Sequence, residues 1–267
     1  LNRTYIDALV QTASTYQEHR ACIQMIERVT LDKVILIADR GYENYNIMSH
    51  AIEKGWKFLI RIKDVHSNGI ASGLELPQTA VFDMDINLIL TRNQTKSKKQ
   101  AGYKFMPTVQ TFDYLPIGSK EDYPISFRIA RFKIADDSYE TVITNLDRFC
   151  FSAEKLKELY HLRWGIETSF RELKYAIGLT SFHAKKVDYI KQEIFARLTL
   201  YNYCELITTY VVEHTENISK KNQVNFTIAI YICREYLRRK RKLRPPDVVK
   251  LIEKHILPIR SEEHTSE

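Results

Sequence analysis

The spacing of apolar and polar positions changes along the chain and divides it into three stretches. Near the front, Val34 to Ala38 is a short, wholly apolar, β-rich run, which predicts a fully buried strand. Asp39 stands where that strand ends, Gly41 interrupts the chain, and a helix is expected from Asn44 to Lys54, stopped by Gly55. A strand at Tyr5 to Val10, a helix at Ser14 to Arg28 capped by Ser14 or Thr15, and a strand at Lys57 to Ile62 complete this part. The middle stretch holds "AVFDMDINLILTR", "ISFRIARFKI" and "YETVITN", all strand-like and partly alternating, while "TRNQTKSKKQAGYK" reads as a polar, mobile hairpin. Beyond it the spacing is helical: Ser152 to Ile177, Val187 to Glu213 with Ile190, Ile194, Leu198 and Tyr201 in register, and Asn225 to Arg241, before Pro245 and Pro246 break the chain. No internal repeat is visible.

The helix expected at 152–177 carries an unusual strip. On a turn of about 100° per residue, Tyr160, Arg163, Glu167 and Lys174 share a band roughly 60° wide over about 21 Å. Leu159, Leu162, Ile166, Phe170, Leu173 and Ile177 line the neighbouring face, so the strip borders the expected core. One reading is a surface ion pair between Arg163 and Glu167, at i and i+4. The other is a carboxylate that holds a divalent metal, flanked by phosphate-binding groups: the fork of Arg163 and the point charge of Lys174. Gly165, unfavourable in a helix interior by about 1 kcal/mol relative to alanine, suggests close approach of something to the backbone. Asp39 has two readings as well. It caps the turn that follows, or it is an acid at the carboxyl end of a buried strand, where α/β sheets place their chemistry.

The spacing Tyr160, Arg163, Glu167, Lys174 resembles the signature around the last acid of the DDE transposases of bacterial insertion sequences, the group typified by insertion sequence four. "DRGY" at Asp39 to Tyr42 is similar to the same family's motif at its second catalytic acid. The resemblance implies an α/β fold with a ribonuclease H-like (retroviral integrase-like) core, partly truncated, interrupted by a mostly β insertion and followed by C-terminal helices. The domains expected on it are 1–63 for the first part of the core, 64–146 for the insertion, 147–259 for the helical completion with Glu167, and 260–267 as a non-native tail. It implies catalytic and metal-binding roles for Asp39 and Glu167, with two Mg²⁺ ions for which Mn²⁺ can substitute. Tyr160, Arg163, Trp164 and Lys174 would contact DNA, Trp164 by stacking near a displaced base. The other tryptophan, Trp56, lies outside the insertion, so a Phe or Tyr would have to serve for the second aromatic of that pocket. The implied reaction is metal-dependent cleavage of an element's ends and strand transfer of the freed 3′-hydroxyl. The partners would be terminal inverted repeats and target DNA, engaged by a homodimer in a synaptic complex.

The first acid of such a site lies upstream of a segment like "YIDALVQ". Two strands and that Asp are therefore expected to be lost from the front of this sequence, and Asp7 falls too late to replace it. A chain with two carboxylates is expected to be inactive alone, because a two-metal site needs several. The terminal "RSEEHTSE" reads as the translation of a common sequencing adapter. Composition adds less. An apolar fraction of 44% suffices for a core, and a net charge of +7 favours an acidic partner such as nucleic acid. "REYLRRKRKLR" at Arg234 to Arg244 and the loop lysines Lys96, Lys98 and Lys99 could track phosphates, or could simply be solvated. The four cysteines lack paired spacing and read as free thiols in a reducing bacterial cytoplasm, and no apolar run is long enough to span a membrane. Two other functions stay open: a non-catalytic DNA-binding remnant, and a ribonuclease H-like nuclease that is not a transposase.

Overall fold

The computed structural model describes residues 3–12, 14, 16–65, 67–215, 222–239 and 244–258. The chain folds as two compact units, one of residues Gln11–Arg163 and one of Leu1–Val10 with Trp164–Glu267.

In the first unit, helix α1 (Glu18–Arg28) leads to strand β1 (Ile35–Ala38), helix α2 (Tyr45–Glu53) and strand β2 (Lys57–Arg61). β1 and β2 run parallel, with Ile35 opposite Lys57 and Ala38 opposite Ile60, so α2 is the crossover between them. The Asn44 side chain, expected inside the helix, instead caps α2 by accepting from the Asn46 N–H, and beyond its end Gly55, the expected stop, takes a φ of 74°, which glycine alone adopts freely. Strands β3 (Phe82–Thr91), β4 (Lys104–Phe105), β5 (Asp122–Ala135) and β6 (Ser138–Thr144) extend the sheet in the order β1-β2-β6-β5-β3-β4. The sheet is mixed: β1–β2 and β3–β4 are parallel, the other pairs antiparallel. Phe58, Ile60, Phe127, Ile129 and Ile143 fill one face together with Cys22 and Ile26 of α1 and Ile47, Met48 and Ala51 of α2. Leu59, Ala130, Phe132 and Val142 fill the other, covered by Leu156 and Tyr160 of α4 (Ala153–His161). Strand alternation explains the split, since neighbours along each strand go to opposite faces.

Several local expectations change. β1 has both faces partly covered, yet it is the edge of the sheet among the described residues, with Ile35, Leu36 and Ile37 only half-buried. An apolar run reports covered faces and says nothing of lateral neighbours. Helix α1 begins at Glu18 without a side-chain cap, and Thr15 lies outside the described residues. The stretch 91–105 is no hairpin: Thr95 caps a short helix α3 (Lys96–Gln100), and β3 and β4 are parallel, a pairing that needs a crossover and not a turn.

The second unit holds α5 (Trp164–Glu172), a π-turn at Leu173–Ile177, α6 (Val187–His214), β7 (Asn222–Val224), α7 (Phe226–Arg238), α8 (Val248–Glu253) and β8 (Ile256–Pro258), with β7 and β8 antiparallel. Tyr201, Cys204 and Val211 of α6, Ala229, Ile230 and Cys233 of α7, and Ile252 of α8 form its core. Tyr5 to Val10 does not form a strand. The Tyr5 N–H donates to Asn202 Oδ1 and Asn202 Nδ2 donates to the Tyr5 carbonyl, both at 2.7 Å, so one side-chain amide satisfies the backbone groups that a neighbouring strand would otherwise take. Residues 240–243 of the basic cluster and the tail from 259 lie outside the described residues.

Candidate functional site

Asp39 is exposed at the carboxyl end of β1 and opens a 3₁₀ turn, Arg40–Tyr42. Its Oδ1 accepts the Gly41 N–H at 2.8 Å. A Cβ on Gly41 would stand 3.0 Å from that oxygen, so glycine lets the carboxylate fold back onto its own turn. The capping and strand-end readings of Asp39 therefore coexist in one geometry, because capping engages one oxygen of two. The turn is held from outside by two groups that the sequence did not reveal. His19 of α1 donates from Nε2 to the Gly41 carbonyl at 2.6 Å. Glu43 accepts the Lys63 N–H at 2.8 Å and also the Ile70 N–H, tying the turn to the loop after β2. Neither contact has a local sequence signal, since each partner lies about 20 residues away.

Tyr160 ends α4 and is 2% exposed, packed with Leu59, Val142 and Leu156. Its hydroxyl is buried and makes no hydrogen bond. The Arg163 guanidinium carbon lies 5.6 Å from the Tyr160 ring centroid. Burial pushes the phenol above its ordinary range, the charges of Arg163 and Arg61 pull it back, Glu140 pushes it up again, and the net shift is upward. Arg61 stands near the hydroxyl without meeting hydrogen-bond geometry, and pairs with Glu140 at 3.3 Å.

The helix expected at 152–177 is interrupted. The Leu162 N–H bonds to the Leu159 carbonyl and the Arg163 N–H to that of Tyr160, tightening the end of α4 into i→i+3 turns before α5 starts at Trp164. Tyr160 and Arg163 thus belong with the sheet unit, while Trp164, Glu167 and Lys174 belong with the helical unit. Glu167 lies exposed in the first turn of α5, Trp164 is 53% exposed, and Lys174 is exposed on the π-turn. Of the expected core face, Leu173 and Ile177 are buried, but Leu162, Ile166 and Phe170 are about half exposed. The side of α5 that carries Ser169 and Glu172 is occupied by the N-terminal segment. Tyr5 Oη lies 2.8 Å from Ser169 Oγ, and an Arg3 nitrogen lies 4.0 Å from Glu172. The Arg3 side chain is what approaches Gly165, 3.6 Å from where a Cβ would stand, an ordinary contact that does not demand glycine. On a turn of about 100° per residue, Glu167 points away from the line of 165, 169 and 172.

Asp39 and Glu167 are hard oxygen donors of the kind Mg²⁺ takes. Among the described residues, however, no three His, Cys, Asp or Glu side chains gather as a metal cage, and these two acids belong to separate units. A two-ion centre needs more carboxylates than these two. The described helices include none long and apolar enough to cross a membrane, and all four cysteines are free thiols.

Comparison with known proteins agrees with the two motifs. The family described as "Transposase DDE domain" matches residues 1–203. The chain is 23% identical over 178 residues to the probable transposase for insertion sequence element IS5377 of Geobacillus stearothermophilus, covering 66% of this chain and 40% of that protein. It is 39% identical over 57 residues to the transposase for insertion sequence element IS421 of Escherichia coli, covering 21% of this chain and 15% of that protein. The chain thus spans well under two thirds of the curated relatives it matches. With the family match extending over most of its length, this chain belongs to the DDE transposases.

Proposed function

We propose that this chain is part of an insertion-sequence transposase that cuts DNA at the ends of its element and joins the freed 3′-hydroxyl to target DNA. The observation that carries the reading is the carboxyl end of the β1–β2 pair. There an exposed strand-end acid, Asp39, shares one unit with a buried phenol that lacks a partner and with two arginines, Arg61 and Arg163. Such a group of donors suits a phosphate. Tyr160, Arg163 and Lys174 would bind backbone phosphates and Trp164 would stack on a base. Asp39 and Glu167 would be two of the carboxylates around Mg²⁺, or Mn²⁺ in its place, and a two-ion site of this kind requires more than two. Among the described residues β1 has an open edge, which supports a ribonuclease H-like core in the complete protein: a further strand carrying a third acid would pair there, with its carboxyl end beside Asp39. Inverted repeats and target DNA would be the substrates, a homodimer the working assembly, and the bacterial cytoplasm its place.

Binding of duplex DNA, followed by fluorescence anisotropy across a salt series, tests the reading. A linear fall of log affinity with log salt is expected, and no binding at low salt overturns it. A second reading makes the chain a DNA-binding remnant without chemistry, since no three His, Cys, Asp or Glu side chains gather among the described residues. Glu167→Gln leaving every DNA-linked behaviour unchanged would support that remnant. A ribonuclease H-like nuclease outside the transposases would bind without preference for inverted repeats.

A further inference from the structure

The loop that follows β2 is pinned to the core of the first unit. Glu43 accepts the Ile70 N–H, and the Lys63 N–H at 2.8 Å, while the Ser72 and Leu74 N–H groups bond to the Gly69 and Ala71 carbonyls. Ile70 and Ala71 are buried, and Val65, Leu74 and Leu76 pack partly buried against the main core. Between this loop and Arg131 of β5 lies a cavity of about 350 Å³, walled by Val65, Leu74, Leu76, Pro77 and Ala80. That is the small end of the range in which proteins hold small molecules, roughly 300–1,000 Å³, with mostly apolar walls and few polar groups. Arg131 is the one charged side chain among the described residues that line it. Its neighbours Ala130 and Phe132 face α4, so strand alternation turns Arg131 to the other face of the sheet, away from Tyr160. The Arg131 side chain is 12% exposed, and among the described residues it makes one ion contact, Nη2 to Asp64 Oδ2 at 3.3 Å. Its Nε is buried without a hydrogen-bond partner. The guanidinium carbon sits 5.2 Å from the Tyr139 ring centroid, which helps to hold the group in place. An arginine has five N–H donors, and a single contact leaves most of them short of acceptors.

We propose that this cavity binds a small monocarboxylic acid with an apolar body, its carboxylate on Arg131 and its body against Val65, Leu74 and Leu76. The planar fork of an arginine meets two oxygens at once, and a carboxylate has two, so its charge is fully served at one wall. A phosphate brings more oxygens than the fork can meet, and the others would be left against apolar walls without donors. An amine is repelled by the guanidinium, and a neutral apolar molecule leaves its donors as they are. Asp64 shares the arginine, but its side chain is 46% exposed, so water screens it from a second carboxylate. Nothing here depends on the transposase chemistry, because Asp39 and Glu167 take no part.

The test uses benzoate as the probe, titrated calorimetrically into the full chain, with melting temperatures alongside, for the wild type, R131M, R131K and A80W. Ala80 is exposed at the cavity wall, so Ala80→Trp fills the space and keeps the arginine. The wild type should bind benzoate and melt higher at about 10 mM, because a ligand of the folded state stabilises it. Arg131→Met should weaken binding about tenfold or more, Arg131→Lys by less, and Ala80→Trp should abolish it. Benzamide, the same body without the charge, and sodium chloride at matched ionic strength should leave the melting temperature unchanged. A wild type that does not bind benzoate, or binds benzamide as well, overturns the proposal. Binding unaltered in R131M overturns the role of the arginine. If R131M fails to fold, A80W decides: benzoate bound as before in that variant sits elsewhere, which overturns the site. Inorganic phosphate displacing benzoate at equal concentration overturns the apolar body.

Discussion

Tyr160 and Gly69 show how much a single position can decide. The Tyr160 hydroxyl is buried without a partner, so Tyr160→Phe removes an unsatisfied polar atom and leaves the ring packing intact. Stability in urea should hold or rise by about 1 kcal/mol, while DNA affinity falls. A lower stability would mean that the hydroxyl has a structural partner. Gly69 faces Glu43: a Cβ there would stand 2.4 Å from Oε1, on a carboxylate already fixed by the Lys63 and Ile70 N–H groups. Gly69→Ala should therefore cost about 1–3 kcal/mol by overpacking, read from the urea midpoint. At this scale the sequence was informative where chemistry is local. Asp39 could be placed at a strand end because the apolar run and Gly41 flank it. His19 and Arg61 could not be found, since what they do depends on residues brought near by the sheet and by α1.

The loop before β5 and helix α2 are joined by polar groups. Asn46 Nδ2 donates to Asp113 Oδ2 at 2.8 Å, His50 Nε2 lies 2.9 Å from the same oxygen, and His50 Nδ1 lies 3.1 Å from Glu27 Oε1 on α1. Burial pushes the Asp113 carboxyl up, but the hydrogen bonds from Asn46 and His50, with the charges of His50 and Arg20, outweigh it and hold it below the usual range. A depressed folded value means stability that is present above the unfolded carboxylate range, about 3.9, and lost as pH falls through the folded value. The urea midpoint should drop on acidification below about pH 4. Asp113→Asn should flatten that part of the profile, and an unchanged profile in the variant would show that the loop is held by other groups. Element identity was largely readable: α2 with its stop at Gly55, the long α6, and strands β3, β5 and β6 fall where periodicity puts them. The break between α4 and α5 was not. A helical wheel assumes a straight helix, and nothing in "YHLRWG" announces the i→i+3 bonds that end α4.

Charge is distributed unevenly over the molecule. Residues 11–163 hold 21 Lys and Arg against 19 Asp and Glu, and the remaining residues hold 19 against 14. Most of the +7 thus belongs to the helical unit, and the bulk of nonspecific DNA attraction should come from there. Chemistry is a different matter. A two-ion centre needs more carboxylates than Asp39 and Glu167, so the purified chain should fail to nick supercoiled plasmid in Mg²⁺ or Mn²⁺. Efficient nicking, abolished by Asp39→Asn, would show that the two suffice. The family could be read from two short motifs far apart in sequence. The division into units could not, because residues 1–10 fold with a partner beginning at 164, and no local pattern marks that return.

β1 leaves one further consequence. Among the described residues its edge is free and reads "ILIA", without the lysine, proline or bulge with which natural sheets discourage unwanted company. Handled at high concentration, the chain should be sticky. Light scattering should climb with time even where charge repulsion keeps most basic proteins dispersed, and Leu36→Lys should delay it. If that variant clouds as fast as its parent, stickiness begins elsewhere. For anyone making this protein, the shelf life of a preparation would then depend on four apolar residues at the border of a sheet more than on the choice of buffer.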